Sequence, residues 1–212
     1  MGRTAFLVDG FNLYHSLKEA QRALGGRSTR WLDLRSFCSS YLSHIGRTAR
    51  LGPIGYYSAL ARHRLADDPQ ATTRHLEYIT CLRATGVVPQ LAKFKRKESP
   101  CPHCGLMIRR YEEKETDVAI AVGLIELFHQ AQCDIAVVVT GDSDITPAVR
   151  TAASLFPDRP VLACFPYNRQ SLELKEVVSV AFQATKEAYA RHQFPDPFIL
   201  PDGRRIPKPT RW

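Results

Sequence analysis

The sequence predicts an α/β fold, a three-layer sandwich with a mostly parallel central sheet. Three observations carry that expectation. Short apolar runs rich in β-branched residues, such as Ile135 to Val139, suit strands buried on both faces. Stretches of helical period alternate with them, which is the pattern of a parallel sheet covered on both sides. The turns between them carry Gly and Asp at the carboxyl ends of strands, where open α/β sheets bind their ligands.

Taken in order, Thr4 to Val8 is a first buried strand that ends at Asp9 and Gly10. Phe11, Asn12 and Leu13 open a helix running to Leu24, and Gly25 with Gly26 stops it. Asp33 suits the N-cap of a second helix, with Leu34, Phe37, Tyr41 and Ile45 on its apolar stripe. The next strand is Ile54 to Ala59. Asp67, Asp68 and Pro69 cap a long helix through Leu76, Ile79 and Leu82, closed at Gly86, and Val87 to Leu91 is a strand. Ala92 to Arg110 departs from the pattern: it reads as a basic loop carrying Cys101-Pro-His-Cys104. A helix from Thr116 to Ala131 follows, with Val118, Ala121, Val122, Ile125 and Phe128 spaced along one face.

Cys133 to Ala153 organises the rest. Its strand breaks at Gly141, Asp142 and Asp144 stand just beyond, and a helix begins near Ile145 with Pro147 in its first turn, where proline is tolerated. Val161 to Phe165 is another strand, Ser171 to Val180 is mixed and Phe182 to His192 helical. Phe194 to Trp212 is a proline-rich tail with a turn at Asp202-Gly203, which either straps across the domain or adds nucleic-acid contacts. The expected organisation is one domain over residues 1–192, with residues 92–111 as an insertion and 193–212 as a basic tail containing Arg204, Arg205, Lys208 and Arg211.

A chain of 212 residues can bury a sizeable core, and its net charge of +8 favours a polyanionic partner. The opening MGRTAFLVDG runs directly into a strand and no apolar run reaches the length of a membrane span, so neither a signal peptide nor a membrane partner is expected. Cys38, Cys81, Cys133 and Cys164 lie singly in apolar segments as buried thiols, which suits a reducing, cytoplasmic location.

Asp9, Asp117, Asp142 and Asp144 come from three separated segments that a parallel sheet can bring to one edge. Each alone suits an N-cap or a helix's first turn. Gathered, they repel: two unit charges about 4 Å apart cost roughly 4 kcal/mol at an effective dielectric near 20. A divalent cation offsets that cost. All-oxygen ligands suit Mg2+ or Mn2+, and no His or Cys stands beside these acids in sequence to suggest zinc.

Val8 to His15 (VDGFNLYH), Glu112 to Leu127 (EEKETDVAIAVGLIEL) and Val137 to Val149 (VVVTGDSDITPAV) resemble the NYN-domain branch of the PIN-like nuclease superfamily. The likeness spans about residues 4–180, with the motifs in the same order. It implies a metal-dependent ribonuclease with an acidic site at the carboxyl edge of a parallel sheet. By the same resemblance Asp9, Asp117, Asp142 and Asp144 are the metal-binding acids, Asn12 matches an asparagine after the first strand, and Thr140 and Ser143 support the loop or a bound phosphate. Glu115 stands where relatives often carry glycine; its carboxylate is expected to face solvent. The chemistry implied is hydrolysis of a phosphodiester with Mg2+ or Mn2+, by an endoribonuclease. Asn12 either donates to a phosphate oxygen or holds Asp9 in position.

Cys101 and Cys104 have the spacing of half a zinc site. Three readings stand: reduced thiols on a loop, a zinc ion completed by His103, His63 or His75, and a zinc ion shared with a second copy in a homodimer. Lys93, Phe94, Lys95, Arg96 and Lys97, with Arg109, Arg110 and Tyr111, interleave cations and aromatics as RNA-contacting segments do, with binding expected to weaken as salt rises. His15 and His44 read as structural histidines. The competing functions are an RNA-binding module without catalysis and a phosphomonoesterase with an aspartyl nucleophile; the latter expects a second Asp soon after the first strand, where Phe11 stands.

Overall fold

The computed structural model describes residues 2–64, 68–210 and 212, without the side chains of Arg64, Arg109, Arg110, Glu112 and Glu113. The expectations on Asp67, Arg211 and the side chains of Arg109 and Arg110 therefore lie outside the described residues.

Central strands buried on both faces set the architecture. β1 (Arg3–Asp9) leads into α1 (Gly10–Ala23), α2 (Leu34–Ser40) and α3 (Leu42–Ile45), then β2 (Arg50–Ala59), α4 (Ala71–Ala84), β3 (Val88–Pro100) and β4 (Met107–Lys114). α5 (Thr116–His129), β5 (Ile135–Val139), α6 (Thr146–Leu155), β6 (Val161–Phe165), α7 (Leu172–Val177), β7 (Val180–Gln183), α8 (Lys186–Arg191) and the short β8 (Phe198–Ile199) and β9 (Arg205–Ile206) complete the chain. On β1, Phe6 and Val8 pack with α1, α2 and α4 side chains such as Leu13, Phe37 and Ile79, while Ala5 and Leu7 pack on the opposite side with Ile120, Leu124 and Val149 of α5 and α6. This is the pleat of a strand buried on both faces, and it gives the expected three layers.

Among the described residues one sheet runs β4-β3-β2-β1-β5-β6-β7, and every pairing in it is parallel except β3 with β4. From β1 the chain winds outward through β2 and β3. After α5 it returns to the other side of β1 and winds away through β5, β6 and β7. The strand order therefore reverses between β1 and β5, which opens a crevice beyond their carboxyl ends.

Four sequence expectations need correction. Ala92 to Arg110 is not a loop: β3 continues to Pro100 and pairs with β4 from Lys93–Lys114 to Pro100–Met107, leaving only the turn between Cys101 and Leu106. The charged side chains that suggest a loop are exposed on a two-stranded arm, where no buried face imposes an apolar alternation. On α5 the buried stripe is Ile120, Gly123, Leu124 and Phe128, whereas Val118 and Val122 are exposed. That helix is apolar nearly all round, so its period could not say which face meets the sheet. Phe182 belongs to β7, not to the helix that follows it. The long helix is N-capped at Gln70, and Asp68 instead forms an ion pair with Arg74.

The tail straps the core. Phe194 packs edge-on against Trp31, Trp212 meets both Trp31 and Tyr78, and the Trp31 indole N–H donates to the Pro195 carbonyl.

Candidate metal-binding site at the sheet edge

β1 and β5 are direct neighbours, with Val8 opposite Val139, so the turns that follow them emerge side by side. Asp9 ends β1 and is 5% exposed. Its Oδ1 accepts the Asn12 backbone N–H at 2.9 Å, capping α1, and its Oδ2 accepts the Thr140 hydroxyl at 2.8 Å. Thr140 in turn accepts the Asp142 N–H at 3.1 Å. Asp142 caps its own short turn, its Oδ1 accepting the Asp144 N–H at 3.1 Å. The ordinary capping roles of Asp9 and Asp142 are thus real, but each uses only part of a carboxylate's acceptor capacity.

Two glycines let these turns close. A Cβ on Gly10 would sit 2.7 Å from the Tyr56 ring, and one on Gly141 would sit 2.9 Å from the Arg169 carbonyl oxygen. Asn12 ties the two turns together, its Oδ1 accepting the Gly141 N–H at 3.1 Å. Since that N–H can only donate, the amide NH2 of Asn12 is the end left to face a ligand.

The third acid arrives on α5. Glu115, in the left-handed region at φ 79°, turns the chain from β4 into the helix and sets Asp117 in the first turn. Glycine would adopt this conformation without strain. Glu115 itself faces solvent and pairs with Lys95 at 3.4 Å. α5 lies close to the sheet because Gly123 faces Tyr57, whose hydroxyl oxygen is 2.3 Å from where a Cβ would stand.

Asp9, Phe11, Asn12, Thr116, Asp117 and Asp142 line one cavity of about 130 Å³. Burial pushes the Asp9 carboxyl up to about 6, against its two hydrogen bonds and with the Asp117 and Asp142 charges adding to the rise. Burial, then the charges of Asp142 and Asp144, also raises Asp117. Asp144 is exposed beside the cavity, close enough to act on Asp117, and Ser143 lies in the turn between the two acids.

The donor set is all oxygen, concave and short of positive charge, the chemistry that suits a hard divalent cation. Among the described residues no three His, Cys, Asp or Glu side chains converge on a single point as they stand. Asp117 is exposed and Asp142 partly so, whereas Asp9 is buried.

Phe11 is a site residue that sequence reasoning passed over. It lines the cavity yet is 46% exposed, and its ring meets His15 at 4.6 Å and Phe94 at 6.4 Å. Phe94 continues to His63 at 4.6 Å, and His63 stacks on Tyr111 at 4.4 Å. An aromatic row therefore leads from the arm to the cavity. The only signal in the sequence was a large apolar residue on the polar side of α1. The pleat also divides the cations of the arm: Lys93, Lys95 and Lys97 share one face, and Arg96 shares the other with Phe94. His75 is far from such roles, partly buried on α4 against the Tyr56 hydroxyl, with its imidazole pushed down to about 4 by desolvation.

The architecture is a PIN-like three-layer sandwich, a nuclease-like fold with carboxylates at its switch point. Residues 3–155 match the NYN domain model, and the chain belongs to the NYN domain family. A crystal structure of a protein of unknown function from Vibrio parahaemolyticus is similar with a TM-score of 0.56 and 20% identity, over 86% of this chain and 92% of that one. Identity that low shows the fold alone. A structure of S. aureus MnaA with UDP overlaps at a TM-score of 0.40 and 13% identity, over 89% of this chain and 40% of that one, and carries no argument. No curated protein sequence matches the chain. Among the described residues no helix is long and apolar enough to cross a membrane.

Proposed function

We propose that this chain is a metal-dependent ribonuclease that hydrolyses RNA phosphodiester bonds at the cavity between β1, β5 and α5. One observation carries the reading: Asp9, Asp117 and Asp142, separated along the chain by up to 133 residues, line a single cavity with Asn12. Protein stability alone does not favour such a gathering, since Asp9 and Asp117 are both harder to ionise there.

Asp9, Asp117 and Asp142 would hold Mg2+ or Mn2+, with Asp144 at the rim. Such an ion, when bound, polarises a phosphoryl oxygen and lowers the pKa of bound water. The chain's own part is positioning. Thr140 and the Asn12 backbone fix the Asp9 carboxylate, and the Asn12 amide NH2 donates to a phosphate oxygen. Asp144 accepts a hydrogen bond from the attacking water. Phe11 and Phe94 offer stacking faces worth about 1–3 kcal/mol per base, which tolerate any sequence. Lys93, Lys95 and Lys97 add charge attraction to the backbone.

The test compares wild type with Asp142→Asn on labelled RNA and DNA, with and without Mn2+. Asparagine keeps the oxygen that accepts the Asp144 N–H, so the variant is expected to fold normally and to lose cleavage. Equal turnover by the two proteins overturns the reading. The absence of a preformed three-carboxylate cage among the described residues favours a second reading, an RNA-binding module without turnover. Metal-independent RNA binding by wild type with no cleavage would decide for it.

A further inference from the structure

The arm formed by β3 and β4 leaves the sheet. β3 pairs with β2 only as far as Ala92, and among the described residues its strand partner from Lys93 to Pro100 is β4 alone. Eight ladder pairs at about 3.4 Å each make a projection of roughly 27 Å. A lone two-stranded ribbon is marginal in water, so an arm of this length calls for something at its end.

Its tip is a tight turn built around two thiols. The Cys101 N–H donates to the Leu106 carbonyl at 2.8 Å, and the Gly105 N–H donates to the Cys101 carbonyl at 2.9 Å. Gly105 sits at φ 72°, a conformation that favours glycine. Cys101 is partly exposed and Cys104 exposed, so the turn presents both side chains at the end of the arm. Two cysteines separated by two residues on a tight turn have the spacing of two corners of a tetrahedral metal site.

Among the described residues no third His, Cys, Asp or Glu, His103 included, gathers with these two thiols as they stand. Cys38, Cys81, Cys133 and Cys164 are buried in the core. His63, one ligand considered from sequence, is held between Phe94 and Tyr111, several ladder steps down the arm. His75 is partly buried on α4 and meets the Tyr56 hydroxyl at 3.2 Å. Meanwhile Leu106 and Met107, beside the thiols, are 72% and 61% exposed. They form an apolar collar that a second tip would cover.

We propose that Cys101 and Cys104 of two copies of this chain share one Zn2+ as a tetrathiolate, which clips the two arms tip to tip into a homodimer. Four thiols lose four protons and donate four lone pairs; no electron changes hands, so no oxidant or reductant is needed. The resulting centre carries a charge of about −2, which offsets the repulsion between two lysine-rich arms. The proposal stands apart from the sheet-edge site, which takes oxygen-bound ions.

The test uses the full chain, purified under reducing conditions without chelator and then titrated with ZnCl2. The expected result is about one zinc per two chains and a solution mass twice 23.9 kDa, reverting to monomer on chelation. Cobalt(II) in place of zinc should give the visible bands of a tetrahedral thiolate centre. Cys104→Ser should remove the metal and the dimer while leaving the circular dichroism and thermal midpoint unchanged, because Cys104 is exposed. Asp142→Asn should keep both, which separates this result from the fate of the nuclease reading. A monomer at saturating zinc, one zinc per chain without a change of mass, or a dimer that survives chelation or Cys104→Ser each overturns the proposal.

Discussion

Asn12 Oδ1 accepts the backbone N–H of Gly141 at 3.1 Å, joining the turn after β1 to the turn after β5. Each turn carries an acid, so this contact, with the β1–β5 pairing and the Thr140 hydroxyl, holds Asp9 and Asp142 at their spacing. Asn12→Ala removes the acceptor and leaves a half-buried N–H without it. The expected cost is about 1 kcal/mol of stability by urea denaturation. The loss in RNA cleavage should be larger than that figure explains, at least tenfold, because the acids drift apart. Asn12→Asp keeps an acceptor oxygen and should recover the stability without recovering the cleavage.

The Asp9 carboxyl is pushed up to about 6 by burial, from 3.8. A folded-state value above the unfolded one contributes stability at low pH that is lost as pH rises from about 4 through 6. Roughly two pKa units correspond to about 3 kcal/mol at neutral pH and above. In metal-free buffer Asp9→Asn should therefore gain on wild type between pH 4 and pH 8 by about that amount, read from denaturant midpoints. Adding Mn2+ at pH 8 should raise the thermal midpoint of wild type and not of Asp9→Asn. A flat difference between the two proteins across that range would contradict the burial argument.

Tyr57 is wedged between Gly55 and Gly123, whose added Cβ atoms would stand 2.7 Å and 2.3 Å from its ring and hydroxyl. Gly123→Ala should cost about 1–3 kcal/mol by overpacking. Because the nearest clash is with the hydroxyl oxygen, Tyr57→Phe should recover part of that loss in the double variant. Additive losses would show that α5 moves away instead of pressing on the ring.

Glu115 adopts φ 79° with no side-chain cap to compensate. A left-handed residue other than glycine costs roughly 1–2 kcal/mol, and glycine's freer unfolded chain returns part of it. Glu115→Gly is thus expected to stabilise the protein by up to about 1 kcal/mol, with Asp117 still in the first turn of α5. A drop in the thermal midpoint would mean that the exposed Lys95 contact outweighs the backbone strain.

The strands β1, β5 and β6 were legible because each is an apolar run with nothing polar to contest it. Acids at the ends of β1 and β5 were legible for a related reason: a charged residue directly after such a run has to leave the sheet at its carboxyl edge. The arm was not. Lys93 to Lys97 carry the alternation of a strand, but with neither face buried the pattern has no apolar half, and only pairing with β4 makes it a strand. Nor was the buried face of α5, whose Val118 and Ile120 are equally apolar in sequence although one faces water and the other the core.

What the amino-acid order determined by itself was local: where backbone runs extended, where it coils, and which acids stand at the joints. Pairing of β1 with β5, across more than a hundred residues, was decided only by the folded chain, because hydrogen bonds between strands carry no side-chain label. That pairing brings Asp9 and Asp142 to one cavity and forms the Asn12–Gly141 contact. The same physics separates the two thiols of the arm from every other cysteine in the molecule.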